Sequence, residues 1–263
     1  MSAGPNKIRA KLACRQLVTG TAIYSSSPNM VEAAGYSGID FVRIDTEHAW
    51  RQDDSLDNMI RGANLAGACP IVRVDRENPY LIRKVLELGA GGIIVPHVYT
   101  AAYAREVVAA SKFPPHGIRG FGNLCAAGNW GTIPADEWIA WSNKEPVIGI
   151  MIETPEALQE IDEILAVAGL DFVLFGPADY SIAIGLSSPQ IAHPEVEDGL
   201  RRTVAAAKKH EKHVMLGVGF DDIQVGSYIG MGVTMLEFGH DVMIVQSTLS
   251  AKVARFGGGT MSL

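Results

Sequence analysis

Short apolar runs alternate with longer amphipathic segments about eight times along the chain. The apolar runs are rich in isoleucine and valine and are apolar on both faces, which is typical of strands in a buried parallel sheet. The segments between them carry apolar residues at helical spacing, as at Leu56, Met59 and Ala63. The predicted strands cover residues 17–25, 39–45, 70–75, 91–98, 147–153, 171–179, 213–219 and 233–240.

This alternation predicts an α/β fold, a (β/α)8 TIM barrel in a single domain spanning residues 1–263. A doubly wound open sheet is the alternative. Its dinucleotide-binding fingerprint is missing, because the glycine-rich run GFGNLCAAG neither follows a strand nor opens a helix. Residues 1–15 are predicted to form an N-terminal arm, and residues 257–263 a flexible tail.

Two connections in the predicted barrel have distinctive sequences. Between the fifth and sixth strands, one helix is predicted over residues 154–169, with Thr154 as its N-cap, Pro155 at its first position and Gly169 as its end. The polar, glycine-rich residues 114–138 precede the fifth strand. A connection of this length inside a compact domain is typically a functional lid or an interface.

Composition narrows the class of protein. Hydrophobic residues make up 48% of the 263 positions and charged residues 19%, which supports a large core and argues against disorder. The net charge of −7 and the lack of a basic patch argue against nucleic acid or an anionic membrane as partner. Three cysteines without metal-type spacing, no bilayer-length apolar run and no signal peptide predict reduced thiols in a cytoplasmic protein.

The barrel hypothesis also predicts where the chemistry lies, because active sites of such barrels are built at the carboxyl ends of the strands. Polar residues do lie toward or just beyond the carboxyl ends of the predicted strands. They are Asp45, Thr46, Glu47 and His48 for the second strand, Arg73 and Asp75 for the third, His97 for the fourth, Glu153 for the fifth, Gly176, Pro177 and Asp179 for the sixth, and Glu237, His240 and Asp241 for the eighth.

Glu153 and Asp179 end two neighbouring apolar runs, so the parallel sheet brings both carboxylates to the same edge. Two acids at one edge are either separated by water or held together by a divalent cation, and Mg²⁺ prefers oxygen ligands with open water positions. The alternative is that each acid caps the helix that it precedes. The pattern favours a metal site.

Three further residues each have two interpretations. Arg73 lies inside an apolar run, so its charge must be paired. It either forms a structural ion pair with Asp45 or Glu47 or serves as a fork for a substrate carboxylate. His48 either caps the next helix or acts in catalysis, whereas His97 is predicted to be a packed or rim histidine.

Five segments together resemble the HpcH/HpaI family of class II pyruvate aldolases, which are metal-dependent (β/α)8 barrels. The resemblance extends from about Leu17 to Phe256. The segments are IDTEHAW, VRVDRENP, GAGGIIVPHVYTAAYAREVVAASKFPPHGIRGFG, MIETPEALQEIDEIL and GPADYS. Their order along the chain matches the family, which makes the resemblance more specific than any one segment does.

The resemblance implies a role for each matching residue. Glu153 and Asp179 would bind Mg²⁺ or Mn²⁺, with Co²⁺ as a further candidate. Arg73 would hold the carboxylate or enolate oxygen of pyruvate, and backbone N–H groups around Gly176, Pro177, Ala178 and Asp179 would take its carboxylate. His48 would be the acid/base, oriented by Asp45, and Glu87 would pair with it across a subunit boundary. Relatives often carry Gln where this chain has Met151, and some place a tryptophan in the first strand, which this chain lacks.

The implied activity is reversible cleavage of 4-hydroxy-2-oxo acids to pyruvate and an aldehyde through a metal-stabilised pyruvate enolate. No lysine lies at a predicted strand end, which agrees with a metal rather than a Schiff base. Oxaloacetate decarboxylation, CoA-thioester cleavage and a non-catalytic oxo-acid-binding barrel are the alternatives. The family also implies a homo-hexamer, a trimer of dimers in which the apolar residues 241–256 pack on a neighbour.

Overall fold

The computed structural model describes residues 4–48, 54–76 and 78–257, and its eight strands form a closed parallel barrel in sequence order. The strands are β1 (Val18–Ile23), β2 (Phe41–Asp45), β3 (Cys69–Arg73), β4 (Gly92–Val95), β5 (Val147–Ile152), β6 (Phe172–Phe175), β7 (His213–Val218) and β8 (Met235–His240). β8 pairs with β1 and closes the barrel, with Met235 opposite Val18. The predicted (β/α)8 barrel is confirmed, and the open-sheet alternative is wrong.

Helices surround this barrel, as its alternating sequence pattern predicts. They are α1 (Lys7–Ala13), α2 (Pro28–Gly35), α3 (Ser55–Leu65), α4 (Tyr80–Leu88), α5 (Ala101–Ser111), α6 (Ala135–Lys144), α7 (Pro155–Gln159), α8 (Ile161–Leu165), α9 (Pro177–Ala183), α10 (Pro194–Lys209), α11 (Asp222–Met231) and α12 (Asp241–Phe256), with a 3₁₀ turn at Asn129–Gly131. In the described part of the chain, no helix combines the length and the apolar character that crossing a membrane requires.

The residues of the predicted N-terminal arm that the structure describes include α1. Its side chains Ile8 and Leu12 are buried and belong to the apolar cluster inside the barrel. The Asn6 side chain caps the helix and also donates to the Gly91 carbonyl, 2.7 Å away, just before β4. α1 therefore covers the amino ends of the strands. The predicted tail lies outside the described residues except for Gly257.

The single helix predicted over residues 154–169 is wrong in its continuity and its end. Thr154 and Pro155 do start a helix, and the Thr154 hydroxyl accepts from the Ala157 N–H. At Glu160 the backbone leaves the helical region (φ −90°, ψ 11°) and separates α7 from α8. The sixth strand is also shorter than predicted and ends at Phe175, so the later acid Asp179 lies on α9. α7 and α8 each bury apolar residues of their own. Apolar residues at helical spacing in the sequence do not show whether one helix or two helices bury them.

The long connection before β5 lies at the amino ends of the strands. It links the end of α5 to the start of β5, and its Ala127 N–H donates to the Glu87 carbonyl over 3.0 Å. The Trp141 indole donates to the Gly4 carbonyl over 2.9 Å. Its last part, predicted as loop, is α6. Because an αβ connection and the catalytic rim lie at opposite ends of a barrel, the interpretation as a lid over this chain's own site is wrong.

All three cysteines are free thiols, as predicted. Cys69 is buried at the start of β3, and its burial raises the pKa of the thiol to about 12 despite an Asn6 contact that lowers it. Cys69 is therefore held as an unreactive thiol at neutral pH.

Candidate active site

A buried ion-pair network lies at the carboxyl ends of β2, β3 and β8. The Arg73 guanidinium donates to the Asp45 carboxylate through Nε, 2.6 Å from Oδ2, and through a second contact from Nη2. Arg43 lies 2.8 Å from the same Asp45 oxygen and forms a bidentate pair with Glu237 at 2.6 and 2.8 Å. Two arginines thus converge on one carboxylate, and all four side chains are buried.

The charge of Asp45 is stabilised by its two arginines. Burial alone would raise the pKa of Asp45, but Arg73 and Arg43 outweigh it and hold the pKa below its ordinary value. Oδ1 of Asp45 accepts from the backbone N–H groups of Glu47 and His48, at 3.1 and 2.9 Å. Asp45 therefore positions the turn that carries His48, rather than the imidazole itself.

Arg73 satisfies both parts of its structural interpretation, since it pairs with Asp45 and also lies 2.8 Å from Glu47 Oε2 through Nη1. Its Nη2 reaches the Tyr24 hydroxyl at 3.3 Å, and its Nη1 lies 3.8 Å from Met151 Sδ. A thioether is a weak acceptor, so one Nη1 N–H has only a weak partner inside the barrel. The ion pairs hold the Arg73 guanidinium in place but leave one of its N–H donors weakly bonded.

His97 is more central than its sequence position suggests. Its Nε2 lies 3.0 Å from Glu47 Oε1, its Nδ1 lies 3.1 Å from Glu153 Oε1, and its backbone N–H donates to the same Glu153 oxygen over 2.7 Å. The residue has a positive φ of 55°, a conformation that non-glycine residues adopt rarely. The predicted rim position is half right: His97 is half-buried, but it bridges two carboxylates of the site.

Glu153 is as buried as Asp45, with 2% of its surface exposed. Burial is the largest influence on it and raises the pKa of Glu153. The contacts with His97 oppose that rise, whereas the charges of Asp179 and Glu47 add to it. Asp179 is exposed and lies in the first turn of α9. Glu47 and Asp179 are therefore both within electrostatic range of Glu153.

The donor set fits a divalent cation. Glu47 Oε2 is buried and, among the described residues, accepts no aligned hydrogen bond, although Arg73 Nη1 is within ion-pair distance. A Cβ at Gly176 would lie 3.2 Å from Glu153 Oε2, so glycine leaves the space beside that oxygen open. The described residues contain no preformed cluster of three or more ligands. Mg²⁺ does not need one, because it keeps several waters and uses one or two carboxylates.

The capping interpretation of the two acids is wrong. Thr154 caps α7, and Gly176 occupies the N-cap position of α9. The Gly176 N–H donates to the Ile152 carbonyl in the barrel, and proline at position 177 has no N–H. Of the predicted carboxylate-binding donors Gly176, Pro177, Ala178 and Asp179, the N–H groups of Ala178 and Asp179 remain at the helix start.

His48 and Glu87 lie at opposite ends of the same barrel. The His48 side chain is 58% exposed at the carboxyl rim, with Nε2 3.6 Å from Glu47 Oε2. The N-cap position of α3 is Asp54, so His48 does not cap that helix. Glu87 is in the last turn of α4, near the amino ends of the strands, where its carboxylate lies 3.3 Å from Arg83 Nη1. Within one chain these two residues do not meet.

Sequence reasoning missed several residues of this site. The Arg43–Glu237 pair, the Tyr24 hydroxyl and the bridge through His97 are visible only once the barrel closes. A signal did exist for two of them, because His97 follows β4 and Glu237 is a charged residue inside β8. For Arg43, a charged residue inside an apolar strand was the only indication, and its interior orientation follows from the barrel register.

Known proteins resemble the chain over nearly its whole length. A family model described as HpcH/HpaI aldolase/citrate lyase matches residues 20–248. The 5-keto-4-deoxy-D-glucarate aldolase of Klebsiella pneumoniae subsp. pneumoniae is 31% identical over 245 residues, which cover 92% of this chain and 93% of that protein.

Solved structures agree with this family match. The HpcH/HpaI aldolase from Desulfitobacterium hafniense DCB-2 superposes with a TM-score of 0.90 at 29% identity, covering 96% of this chain and 97% of that one. The citrate synthase SbnG gives a TM-score of 0.86 at 31% identity, with 95% and 96% covered. The chain therefore belongs to the HpcH/HpaI aldolase/citrate lyase family, and it is a carbon–carbon lyase of the aldolase type.

Proposed function

We propose that the enzyme reversibly cleaves 4-hydroxy-2-oxo acids to pyruvate and an aldehyde, with a divalent metal ion as cofactor. The observation that carries this proposal is the buried Glu153 carboxylate, which has no arginine or lysine partner among the described residues and lies within range of the charges of Glu47 and Asp179. A cation that relieves this repulsion is the simplest account of such a site. The 31% identity to 5-keto-4-deoxy-D-glucarate aldolases supports the same reaction class.

Glu153 and Asp179 would hold the ion, which we propose to be Mg²⁺ or Mn²⁺, with Co²⁺ as a further candidate. When bound, such an ion supplies Lewis-acid stabilisation of the negative charge that develops on the keto oxygen of pyruvate. The space beside Gly176 next to Glu153 Oε2 would accommodate it. His97 would keep Glu153 oriented through its backbone N–H.

Arg73 and the start of α9 would bind pyruvate. The weakly used Nη1 N–H beside Met151 would turn to a substrate oxygen, while the other donors of Arg73 keep their carboxylate partners. The N–H groups of Ala178 and Asp179 would take the pyruvate carboxylate, because the first N–H groups of a helix have no intrahelical acceptor. Charge developing on the enolate would meet a fixed cation rather than mobile water.

His48 would transfer the proton of the new alkoxide, directly or through water. His48→Asn is expected to slow aldol cleavage by about a hundredfold or more, the usual contribution of a positioned acid/base. Metal affinity should change little, since the His48 side chain is exposed and is not one of the proposed metal ligands. Steady-state cleavage kinetics and Mn²⁺ titration by calorimetry measure the two effects. Cleavage at the wild-type rate would assign the proton transfer to another group.

Assembly into a homo-hexamer, a trimer of dimers, would place a neighbour on α12. Asp241 anchors this helix by accepting from the Tyr24 and Ser25 N–H groups, but Asp241 is its only buried residue. One side of the helix is an exposed apolar stripe. The stripe consists of Val242, Val245, Leu249, Val253 and Phe256. Such a face on an isolated chain favours burial against another chain.

Light scattering coupled to size exclusion is expected to give an oligomeric mass, and Leu249→Asp should lower that mass. The matched control is Ser250→Asp, which places the same charge on the same helix beside the stripe. A monomeric wild-type protein would contradict the proposed assembly. So would an unchanged oligomer in Leu249→Asp. In an oligomer, Glu87 of one subunit would pair with the partner's His48, as the family resemblance implies.

The direct test of the activity is release of pyruvate from a 4-hydroxy-2-oxo acid, measured by a coupled dehydrogenase before and after chelation. Metal-dependent release with stoichiometric aldehyde supports the proposed cleavage. If the same protein acts on oxaloacetate alone and releases CO₂, decarboxylation is its reaction. The absence of any pyruvate from either substrate by metal-loaded protein would contradict the proposal.

A further inference from the structure

Tyr24 directly follows β1 and brings a half-buried hydroxyl to the ion-pair network at the carboxyl ends of the strands. The hydroxyl oxygen lies 3.3 Å from Arg73 Nη2. A guanidinium has only donors, so in this contact Arg73 donates and the phenol oxygen accepts. The hydroxyl proton is therefore directed away from Arg73, and among the described residues no group accepts it. This leaves one polarised O–H donor free at the proposed pyruvate site.

The Tyr24 side chain is held in this position before any ligand arrives. Its ring centroid lies 4.7 Å from that of His240, and the Arg43 guanidinium carbon lies 5.8 Å from the Tyr24 centroid. The His240 ring is itself fixed, because its Nδ1 accepts from the Met243 N–H over 3.2 Å at the start of α12. The Tyr24 N–H donates to Asp241 Oδ1 over 2.9 Å. A donor that is fixed in advance stabilises a developing charge without having to reorganise.

The hydroxyl lies where it can share the substrate oxygen that Arg73 is proposed to bind. A substrate oxygen that accepts from Arg73 lies one hydrogen-bond length from a guanidinium nitrogen. The Tyr24 oxygen is at a similar distance from Nη2 of the same guanidinium. Arg73 and Tyr24 can therefore donate to one substrate oxygen. The N–H that Arg73 donates to the phenol oxygen also strengthens the O–H as a donor, because hydrogen bonds in a chain polarise one another.

The charges around Arg73 explain why a further donor is useful at this place. Arg73 is paired with Asp45 and Glu47, and these two carboxylates offset much of its positive charge. A guanidinium with carboxylate partners attracts a new negative charge less strongly than an unpaired guanidinium does. The Tyr24 O–H is neutral and carries no such counter-charge. It can therefore add stabilisation that the paired Arg73 does not supply alone.

We propose that Tyr24 is a catalytic residue whose hydroxyl donates a hydrogen bond to the enolate oxygen of pyruvate, beside Arg73. The contact is strongest when negative charge develops on that oxygen, so it lowers the barrier to enolate formation more than it tightens the binding of pyruvate. Tyr24 keeps its proton throughout and forms no covalent bond. This inference rests on the proposed aldolase function and adds a residue to its enolate site.

The test measures exchange of pyruvate methyl protons in D₂O by metal-loaded protein, which requires enolate formation but no aldehyde. Tyr24→Phe removes the hydroxyl and keeps the ring that contacts His240 and Arg43, so the melting temperature and Mn²⁺ affinity should stay near wild type. The kcat for exchange is expected to fall about a hundredfold, the scale of losing one oxyanion donor, while the pyruvate KM stays within about twofold. The matched control, Tyr36→Phe, removes an exposed hydroxyl just after α2 and should preserve the wild-type rate.

Oxalate distinguishes a contact to the enolate from mere support of Arg73. It carries negative charge where the enolate does, whereas pyruvate has a neutral keto oxygen there. Calorimetry with Mn²⁺-loaded Tyr24→Phe should show oxalate binding weakened about tenfold and pyruvate binding nearly unchanged.

Two results would overturn the inference while leaving the proposed function intact. One is exchange by Tyr24→Phe at the wild-type kcat. The other is equal weakening of oxalate and pyruvate binding, which is expected if Tyr24 only orients Arg73. Metal-loaded wild-type protein that exchanges no methyl protons would overturn the proposed function as well.

Discussion

Glu153→Gln is expected to lower aldol cleavage by about a thousandfold or more. A glutamine amide cannot supply the negative charge that a divalent cation needs. Losing Lewis-acid stabilisation raises the free energy of the transition state by several kcal/mol, and each 1.4 kcal/mol is about tenfold in rate. The variant should remain folded, because the amide oxygen can still accept from the His97 N–H that now donates to Glu153. Mn²⁺ titration should show weaker metal binding than in the wild type, in parallel with the slower turnover.

The matched control for this change is Glu156→Gln. Glu156 lies in the first turn of α7, three residues further on, and its side chain is exposed. The same chemical change there should leave turnover and metal affinity near the wild-type values. If Glu153→Gln kept wild-type turnover with wild-type Mn²⁺ affinity, Glu153 would not be a ligand and the metal site would lie elsewhere.

Arg73→Lys is expected to lower kcat/KM for the oxo acid by about a hundredfold, corresponding to roughly 2 to 3 kcal/mol for a charge-assisted contact to substrate. Lysine keeps one positive charge near Asp45 but cannot contact Asp45, Glu47 and a substrate oxygen at once. The KM for pyruvate in the synthetic direction should rise, because a ground-state contact to pyruvate is lost.

The neighbouring arginine provides the control for stability. Arg43→Lys disturbs the same Asp45 carboxylate and breaks the bidentate pair with Glu237. Both lysine variants should lower the melting temperature, since each weakens a buried pair and leaves a carboxylate less well compensated. Only Arg73→Lys should raise the pyruvate KM specifically. Equal effects of the two variants on pyruvate KM would make Arg73 a structural residue rather than a substrate contact.

The buried ion pairs of Asp45 also make the stability of the protein depend on pH. The pKa of Asp45 is lowered in the folded protein, because the two arginines outweigh the effect of burial. A carboxylate with a lowered pKa contributes stability above its unfolded pKa, and this contribution is lost as the pH falls through the folded pKa. The network around Arg43 and Arg73 is therefore strongest at neutral pH and weakens in acid.

Much of this architecture could be predicted from local patterns. Strands such as β2 and β5 are continuous apolar runs because a parallel barrel buries both faces of a strand, and that signal survives in sequence. The acid Glu153 could be placed at the rim because it directly follows β5. Thr154 and Pro155 marked a helix start through capping chemistry that acts within four residues.

The rest depends on contacts between distant segments. The break at Glu160 and the early end of β6 are set by how short helices pack on the barrel. The central place of His97 follows from Glu47 and Glu153, which lie about fifty residues away on either side. The local sequence does not predict contacts between segments that are so far apart along the chain. The composition of the long connection is typical of a lid or an interface, whereas its place between α5 and β5 determines that it lies at the amino ends of the strands.

The measurement that most directly tests the central claim is exchange of pyruvate methyl protons in D₂O, followed by NMR, with chelator-stripped protein before and after addition of Mg²⁺ or Mn²⁺. It requires no knowledge of the aldehyde. Exchange that appears only with metal is the result that the proposed site of Glu153, Asp179 and Arg73 predicts. Folded, metal-loaded protein that exchanges no methyl protons would contradict formation of a pyruvate enolate at this site.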